Sequence, residues 1–269
     1  QVLDGDLIGH IFMSLGANWL QAFWPSLGVC VNGGRAVVAP AVYTCAVKPE
    51  LTPPENIACP LCSQHARLYC EDRRRRFFRC PHCELIAADP ASHLVLSEEK
   101  AVYDLHENNP ADSRYRDFLS RLVTPLLKHL ESGMEGLDFG CGPGPTLSGM
   151  LSEEGMHMQD YDPLYQADAG LLQRQYDFVT CTEVVEHFNE PASAWMQLTA
   201  LVKPGGWLGV MTSLVPDDNP EFFRSWGYKG EPTHVSFYRP ATIAWLGRRF
   251  GFTIEQVDER VILMHKAPD

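Results

Sequence analysis

The stretch Leu137-Asp138-Phe139-Gly140-Cys141-Gly142-Pro143-Gly144 constrains this chain more than any other. An apolar run feeds directly into a turn with glycine at 140, 142 and 144, and Thr146 to Leu151 then reads as the start of a helix. Glycine adopts backbone angles that side chains forbid, which lets a turn bring its N–H groups close to a ligand. A strand, a glycine turn and a helix in this order are the opening unit of parallel sheets that bind nucleotide-like ligands at their strand ends. Glycine turns are common, so the reading depends on the strands that come after this one.

Further short apolar runs succeed the first strand, Gly136–Gly140. They lie at Met156–Asp160, Tyr176–Cys181 and Gly206–Thr212, with two more near Thr253–Val257 and Val261–His265. Helical stretches separate most of them, which predicts an α/β fold with a parallel sheet. The second strand ends at Asp162, about 20 residues after the glycine turn, where a carboxylate can accept both hydrogen bonds of a ribose diol. The plainer reading of Asp162 is a solvated turn residue ahead of Pro163. The third strand runs into Thr182-Glu183-Val184-Val185-Glu186-His187. A fourth segment, Leu201 to Leu208, reads as a helix end, a Pro-Gly-Gly turn and a buried strand. Counting the dinucleotide pattern G-x-G-x-x-G from Gly140 reaches Pro145, and from Gly142 reaches Leu147, which disfavours NAD and FAD.

Taken together, the glycine loop, the acidic strand end, Tyr176-Asp177-Phe178 leading to Glu183, Glu186 and His187, and the Leu201–Gly206 turn resemble class I S-adenosylmethionine-dependent methyltransferases in order and spacing. The resemblance implies a Rossmann-like, mostly parallel seven-stranded sheet flanked by helices. It implies that Asp138, Gly140, Gly142 and Gly144 surround the methionine portion of S-adenosylmethionine and that Asp162 binds its ribose. Thr182 and Glu183 would line the pocket beyond the third strand.

A sulfonium is already an activated electrophile, so alignment of the acceptor can supply about 7–11 kcal/mol of barrier lowering. A hydroxyl acceptor additionally needs a base, or a metal ion that acidifies it. Glu183, Glu186 and His187 lie just past the third strand, and His234 lies in Pro232-Thr233-His234-Val235-Ser236-Phe237. Similar Glu-x-x-Glu-His runs with a later histidine occur in ubiquinone-pathway O-methyltransferases and in methyltransferases of RNA 3′-terminal 2′-hydroxyls, where they hold a divalent metal. The resemblance therefore implies a second divalent metal on Glu183, Glu186 and His187, and oxygen and imidazole ligands would suit Mg, Mn or Fe alike. His234 would be a general base or a substrate contact. The bland alternatives are pocket-wall residues without metal, and a histidine that packs in a loop.

Cys59-Pro60-Leu61-Cys62 and Cys80-Pro81-His82-Cys83 are two C-x-x-C pairs, the spacing of a structural zinc ribbon. Cys70 and His82 would break the paired geometry. Four thiolates leave no open position, so this zinc would fold the module and take no part in chemistry. Between the pairs, Arg73-Arg74-Arg75-Arg76-Phe77-Phe78-Arg79 could grip RNA or an acidic partner, lie across the acidic catalytic domain, or offset the charge of the thiolates.

The net charge of −12 gives the whole chain no general attraction for nucleic acid. Nine cysteines, an odd number with two metal-type pairs, suit a reducing compartment, so a cytoplasmic location is expected. Ile8 to Pro25 is the most apolar stretch, and His10, Asn18 and Gln21 interrupt it, so no membrane segment is expected. Residues 1–55 read as a peripheral N-terminal extension, 56–90 as the ribbon, 91–132 as a helical lid and linker, and 133–269 as the cofactor-binding domain. In the lid, Tyr115, Leu119, Leu122 and Leu126 recur at helical spacing, and Tyr103 and His106 are candidate contacts over the site. The expected activity is methyl transfer to a small-molecule hydroxyl, amine or carbon. The other readings are an RNA or protein methyltransferase docking its target through the ribbon, and a non-catalytic cofactor-binding regulator.

Overall fold

A computed structural model describes residues 55–105 and 108–268. All but the last residue of the expected N-terminal extension, and His106 in the lid, lie outside the described residues. Four short strands come first: β1 (Asn56–Ala58), β2 (His65–Glu71), β3 (Arg76–Arg79) and β4 (Ile86–Ala88). Two helices come next, α1 (Leu96–Tyr103) and α2 (Ser113–Leu126). Asp112 caps α2 by accepting the Arg114 N–H, and Leu119, Leu122, Val123 and Leu126 form its buried stripe at the expected helical spacing.

The remaining chain alternates as expected: β5 (Glu135–Phe139), α3 (Thr146–Glu153), β6 (His157–Tyr161), β7 (Tyr176–Thr182), α4 (Pro191–Ala200) and β8 (Val202–Met211). Then come α5 (Pro220–Ser225), β9 (Ser236–Phe237), α6 (Pro240–Phe250), β10 (Phe252–Gln256) and β11 (Val261–Lys266). The main sheet has the order β10-β11-β8-β7-β5-β6. Strands β6, β5, β7 and β8 run parallel, and β11 is antiparallel to both β8 and β10. The main sheet therefore has six strands among the described residues where seven were expected. The chain between β6 and β7 is short: it forms one isolated bridge, Asp162 with Gln166, and a 3-10 turn at Ala169–Gln173, and it supplies neither a further α-helix nor an edge strand.

In the register of the sheet, Asp138 lies beside both Asp160 and Thr180, and Phe139 beside Tyr161. The ends of β5, β6 and β7 are thus neighbours, and the residues just beyond each strand meet at one rim.

The four N-terminal strands form a second sheet, β1-β2-β3-β4-β9, completed by a strand from far along the chain. Ile86 pairs with Phe237 and Ala87 with Ser236. Phe77 and Phe78, adjacent in β3, point to opposite faces, and both are fully buried. Phe78 joins the main core, while Phe77 packs edge-on against Phe223 and Phe237. The small unit is thus covered on both faces by the rest of the molecule.

Candidate functional site

Gly140 and Gly142 take positive φ values of 94° and 63°, so the turn after β5 needs residues without a side chain. A Cβ on Gly140 would lie 2.4 Å from Val184, and one on Gly144 would lie 2.4 Å from the Asn108 carbonyl oxygen. The turn is therefore clamped between the segment after β7 and the loop after α1. A narrow cleft opens on it, lined by Tyr115, Leu119, Asp138, Gly140, Cys141, Gly144, Thr146, Leu147 and Thr182.

Burial pushes the Asp138 carboxyl up to about 7, against the pull of the Thr180 hydroxyl that donates to it at 2.7 Å. Asp162 is fully buried, and its carboxylate accepts the N–H groups of Gly142 at 2.8 Å, Leu164 at 2.8 Å and Tyr165 at 2.9 Å. Burial still raises it above the usual carboxylate range. Asp162 thus ties the end of β6 to the glycine turn. Three buried polar atoms around this turn, Thr146 Oγ1, Thr182 Oγ1 and Asn108 Nδ2, find no hydrogen-bond partner among the described residues. Unmatched buried polar groups beside a carboxylate are the donor and acceptor set that a polar, cationic ligand such as S-adenosylmethionine would satisfy.

The segment after β7 carries the second half of the site. Glu183 is held at φ 52°, a conformation that costs a residue with a side chain about 1–3 kcal/mol and signals an imposed geometry. Its carboxylate faces the Arg260 guanidinium at 3.6 Å and the Tyr228 hydroxyl at 3.3 Å. Burial pushes it up to about 7, and Arg260 pulls it back. Glu186 accepts the Tyr228 hydroxyl at 2.6 Å and the Thr212 hydroxyl at 2.8 Å. Burial, and then the charge of Glu183, lift its carboxyl well above the usual range.

Glu186, His187 and His234 are all fully buried and bring their ligand atoms within 4.8 Å of one another. Nδ1 of His187 lies 3.2 Å from the Thr233 carbonyl, and Nδ1 of His234 lies 2.7 Å from the Tyr228 carbonyl. A carbonyl only accepts, so both rings carry their proton on Nδ1 and keep Nε2 as the basic nitrogen. The expected set of Glu183, Glu186 and His187 is thus rearranged. Glu183 turns toward Arg260, and His234, expected as a general base or substrate contact, joins the cluster. Tyr103, expected as a lid contact, places its hydroxyl 3.5 Å from His187 Nδ1.

Comparison with known proteins adds to this geometry. The profile of a methyltransferase-domain family matches residues 111–257, more than half of the chain and both halves of the site. This chain belongs to that family. Among curated relatives, the ubiquinone biosynthesis O-methyltransferase of Thiobacillus denitrificans is 29% identical over 183 residues, which cover 57% of this chain and 75% of that protein. The enzyme of the same name from Nitrosospira multiformis is 27% identical over 187 residues, 57% of this chain and 73% of its own. A solved structure with bound S-adenosylhomocysteine, the Burkholderia thailandensis 1,6-didemethyltoxoflavin-N1-methyltransferase, is 15% identical with a TM-score of 0.42. That match covers 74% of this chain and 98% of the other.

The family match makes the protein an S-adenosylmethionine-dependent methyltransferase, and the four-cysteine unit lies upstream of the matched residues. In this methyltransferase Cys59 and Cys83 place their sulfurs 3.5 Å apart, as do Cys62 and Cys80, and all four gather in one cluster. The two turns are built alike. Ser63 and Glu84, each directly after the second cysteine of its pair, take φ of 60° and 63° and donate to the carbonyls of Cys59 and Cys80 at 2.9 Å. Cys70 and exposed His82 stay outside the cluster.

The arginine run of the methyltransferase does not form an outward basic face. Arg76 pairs with Asp89 at 3.6 Å, Arg79 with Glu84 at 2.5 Å and Asp218 at 3.3 Å, and Arg75 donates to backbone carbonyls. Only Arg73 and Arg74 of the run are exposed. Tyr228, Thr212 and Arg260 were not singled out from the sequence, because no local pattern marks a residue that reaches the site from a distant loop. None of the helices among the described residues is long and apolar enough to cross a membrane.

Proposed function

We propose that this methyltransferase carries the methyl group of S-adenosylmethionine to a hydroxyl oxygen of a small molecule bound against Glu186, His187 and His234. The observation that carries the reading is the buried convergence of these residues on the segment whose Val184 touches the glycine turn. Donor and acceptor would then meet at one rim of the sheet. The O-methyltransferase names of the curated relatives support an oxygen acceptor.

On the donor side we assign Asp138, Gly140, Gly142 and Gly144 to the methionine portion, with Thr182 and Glu183 on the pocket wall. A carboxylate has about four acceptor sites. Asp162, with three taken by backbone N–H groups, retains one for a ribose hydroxyl while bracing Gly142. In the transfer, the sulfur–methyl bond breaks and its electron pair stays on sulfur, leaving a neutral thioether. The new carbon–oxygen bond forms as the hydroxyl proton passes to the Nε2 of His234, whose Nδ1–H is anchored on Tyr228.

Two neutral imidazoles oriented by carbonyls, with the Glu186 carboxylate beside them, also fit a divalent cation such as Mg, Mn or Fe. Such an ion, when bound, would take up Nε2 of His234, so that it would acidify the acceptor hydroxyl in place of proton transfer to that nitrogen, and it would offset the crowded charge of Glu183 and Glu186. For the cluster of Cys59, Cys62, Cys80 and Cys83 we propose a structural zinc, which its donor set and paired turns suit.

Methyl-labelled S-adenosylmethionine mixed with the enzyme and separated metabolite, RNA and protein fractions tests the acceptor class. Label in a small-molecule ether supports the reading. Label confined to RNA or protein overturns it.

A further inference from the structure

Contacts from the four-cysteine unit run straight into the segment that carries Tyr228 and His234. Nη1 of Arg75 donates to the carbonyls of His234 at 2.8 Å and Pro232 at 3.3 Å. Its Nη2 donates to the carbonyls of Glu231 at 3.0 Å and Lys229. Asp72, in the same turn as Arg75, pairs with the buried ammonium of Lys229. From β4, the Ala88 N–H donates to the Val235 carbonyl at 2.8 Å, and the Val235 N–H donates on to the Glu186 carbonyl at 2.9 Å.

The turn between β2 and β3 explains why Arg75 points inward. Asp72 accepts the N–H groups of Arg74 at 2.8 Å and Arg75 at 2.9 Å, and its own N–H donates back to the Arg75 carbonyl at 2.9 Å. Arg75 is thereby held at a set position directly before β3, with its guanidinium 5.2 Å from the Phe77 ring. The segment it meets is irregular, with only a short 3-10 turn at Gly227–Gly230. Such a segment has no ladder of its own to satisfy its carbonyls. A planar guanidinium with donors in a fixed fork gathers several carbonyls at once, which an ammonium does not.

We infer that Arg75 is a positioning residue for the acceptor side of the site. By gathering the carbonyls of 229–234 it holds this segment in the shape that presents Tyr228 and His234 to Glu186. The four-cysteine unit then serves as an inward scaffold of the active centre and not as an outward docking module. The inference rests on the proposed function, in which Glu186, His187 and His234 face the acceptor.

The test uses the full chain with 15N-labelled histidine, as wild type, Arg75→Met and Arg75→Lys. In wild type, His234 shows the Nδ1–H tautomer alone. In Arg75→Met it becomes a mixture of tautomers, and the Val235 amide exchanges with solvent about tenfold faster or more. Arg75→Lys falls between the two. Affinity for S-adenosylmethionine, read by calorimetry, stays within about twofold, because the glycine turn lies on other elements. An unchanged tautomer with unchanged exchange in Arg75→Met overturns the inference. If that variant does not fold, wild-type behaviour of Arg75→Lys on both readouts overturns it equally. Neither readout needs an acceptor or a metal, so a failed acceptor assignment shows separately as absent label in small molecules.

Discussion

The Tyr228 hydroxyl lies 2.6 Å from the Glu186 carboxylate and 3.3 Å from that of Glu183, so one phenol bridges two buried acids. It also touches the Thr212 hydroxyl at 3.2 Å and accepts the Ser213 N–H at 3.3 Å. Tyr228→Phe removes the bridge and leaves both acids without their shared donor. Stability should fall by about 1–3 kcal/mol in urea unfolding at neutral pH, the cost of an unmatched buried polar group. Methyl transfer should fall more steeply than cofactor affinity, and equal losses in both would place Tyr228 on the donor side.

Asp138 sets a pH dependence with opposite signs for stability and for binding. Burial holds its carboxyl at about 7, so the folded chain keeps a proton that the unfolded chain releases near pH 4, roughly the free-carboxyl value. This contribution therefore lowers the stability of the cofactor-free protein as pH rises from about 4 to 7, and it levels off above. A cationic donor favours the ionised form, so its affinity should weaken below pH 7 by up to about tenfold per pH unit. Calorimetry at several pH values checks this, with Asp138→Asn expected to flatten the profile.

Asp162→Asn should weaken S-adenosylmethionine binding and destabilise the fold together. An amide can still accept the N–H groups of Leu164 and Tyr165, but its NH2 then confronts the N–H of Gly142. Loss of that bond should cost about 1–3 kcal/mol in thermal or urea unfolding. Wild-type stability in the variant would show that the carboxylate does not brace the turn.

The four-cysteine cluster should carry about one zinc per chain when purified under reducing conditions. Four sulfurs gathered this closely suit a tetrahedral cation that ties the two turns together, so chelation or Cys80→Ser should lower the melting temperature. Since β4 pairs with β9 and Arg75 binds the 229–234 carbonyls, metal loss should reduce methyl transfer as well. A metal-free chain that melts with the same midpoint would refute the zinc assignment.

Much of the rim around the glycine turn was legible from local pattern. A strand, a glycine turn and an acidic end on the next strand are neighbours in sequence and in space, because a parallel sheet places successive strand ends at one rim. The strands from β5 to β11 in the main sheet were read within a few residues, and the paired cysteines and their shared cluster came from spacing alone. The seventh strand implied by resemblance is missing among the described residues, since Leu171 and Leu172, the apolar pair between β6 and β7, lie in a 3-10 turn and not in a strand.

The sequence by itself determined the α/β class, the glycine turn after the first strand of the main sheet and the four-sulfur cluster, because each depends on residues close along the chain. Only the tertiary structure decided that His234 joins Glu186 and His187 while Glu183 turns to Arg260, and that Tyr228 bridges the two acids. It alone turned the arginine run inward. These choices depend on loops brought together from distant positions, where one buried charge or carbonyl must find whichever partner the packed core leaves within reach.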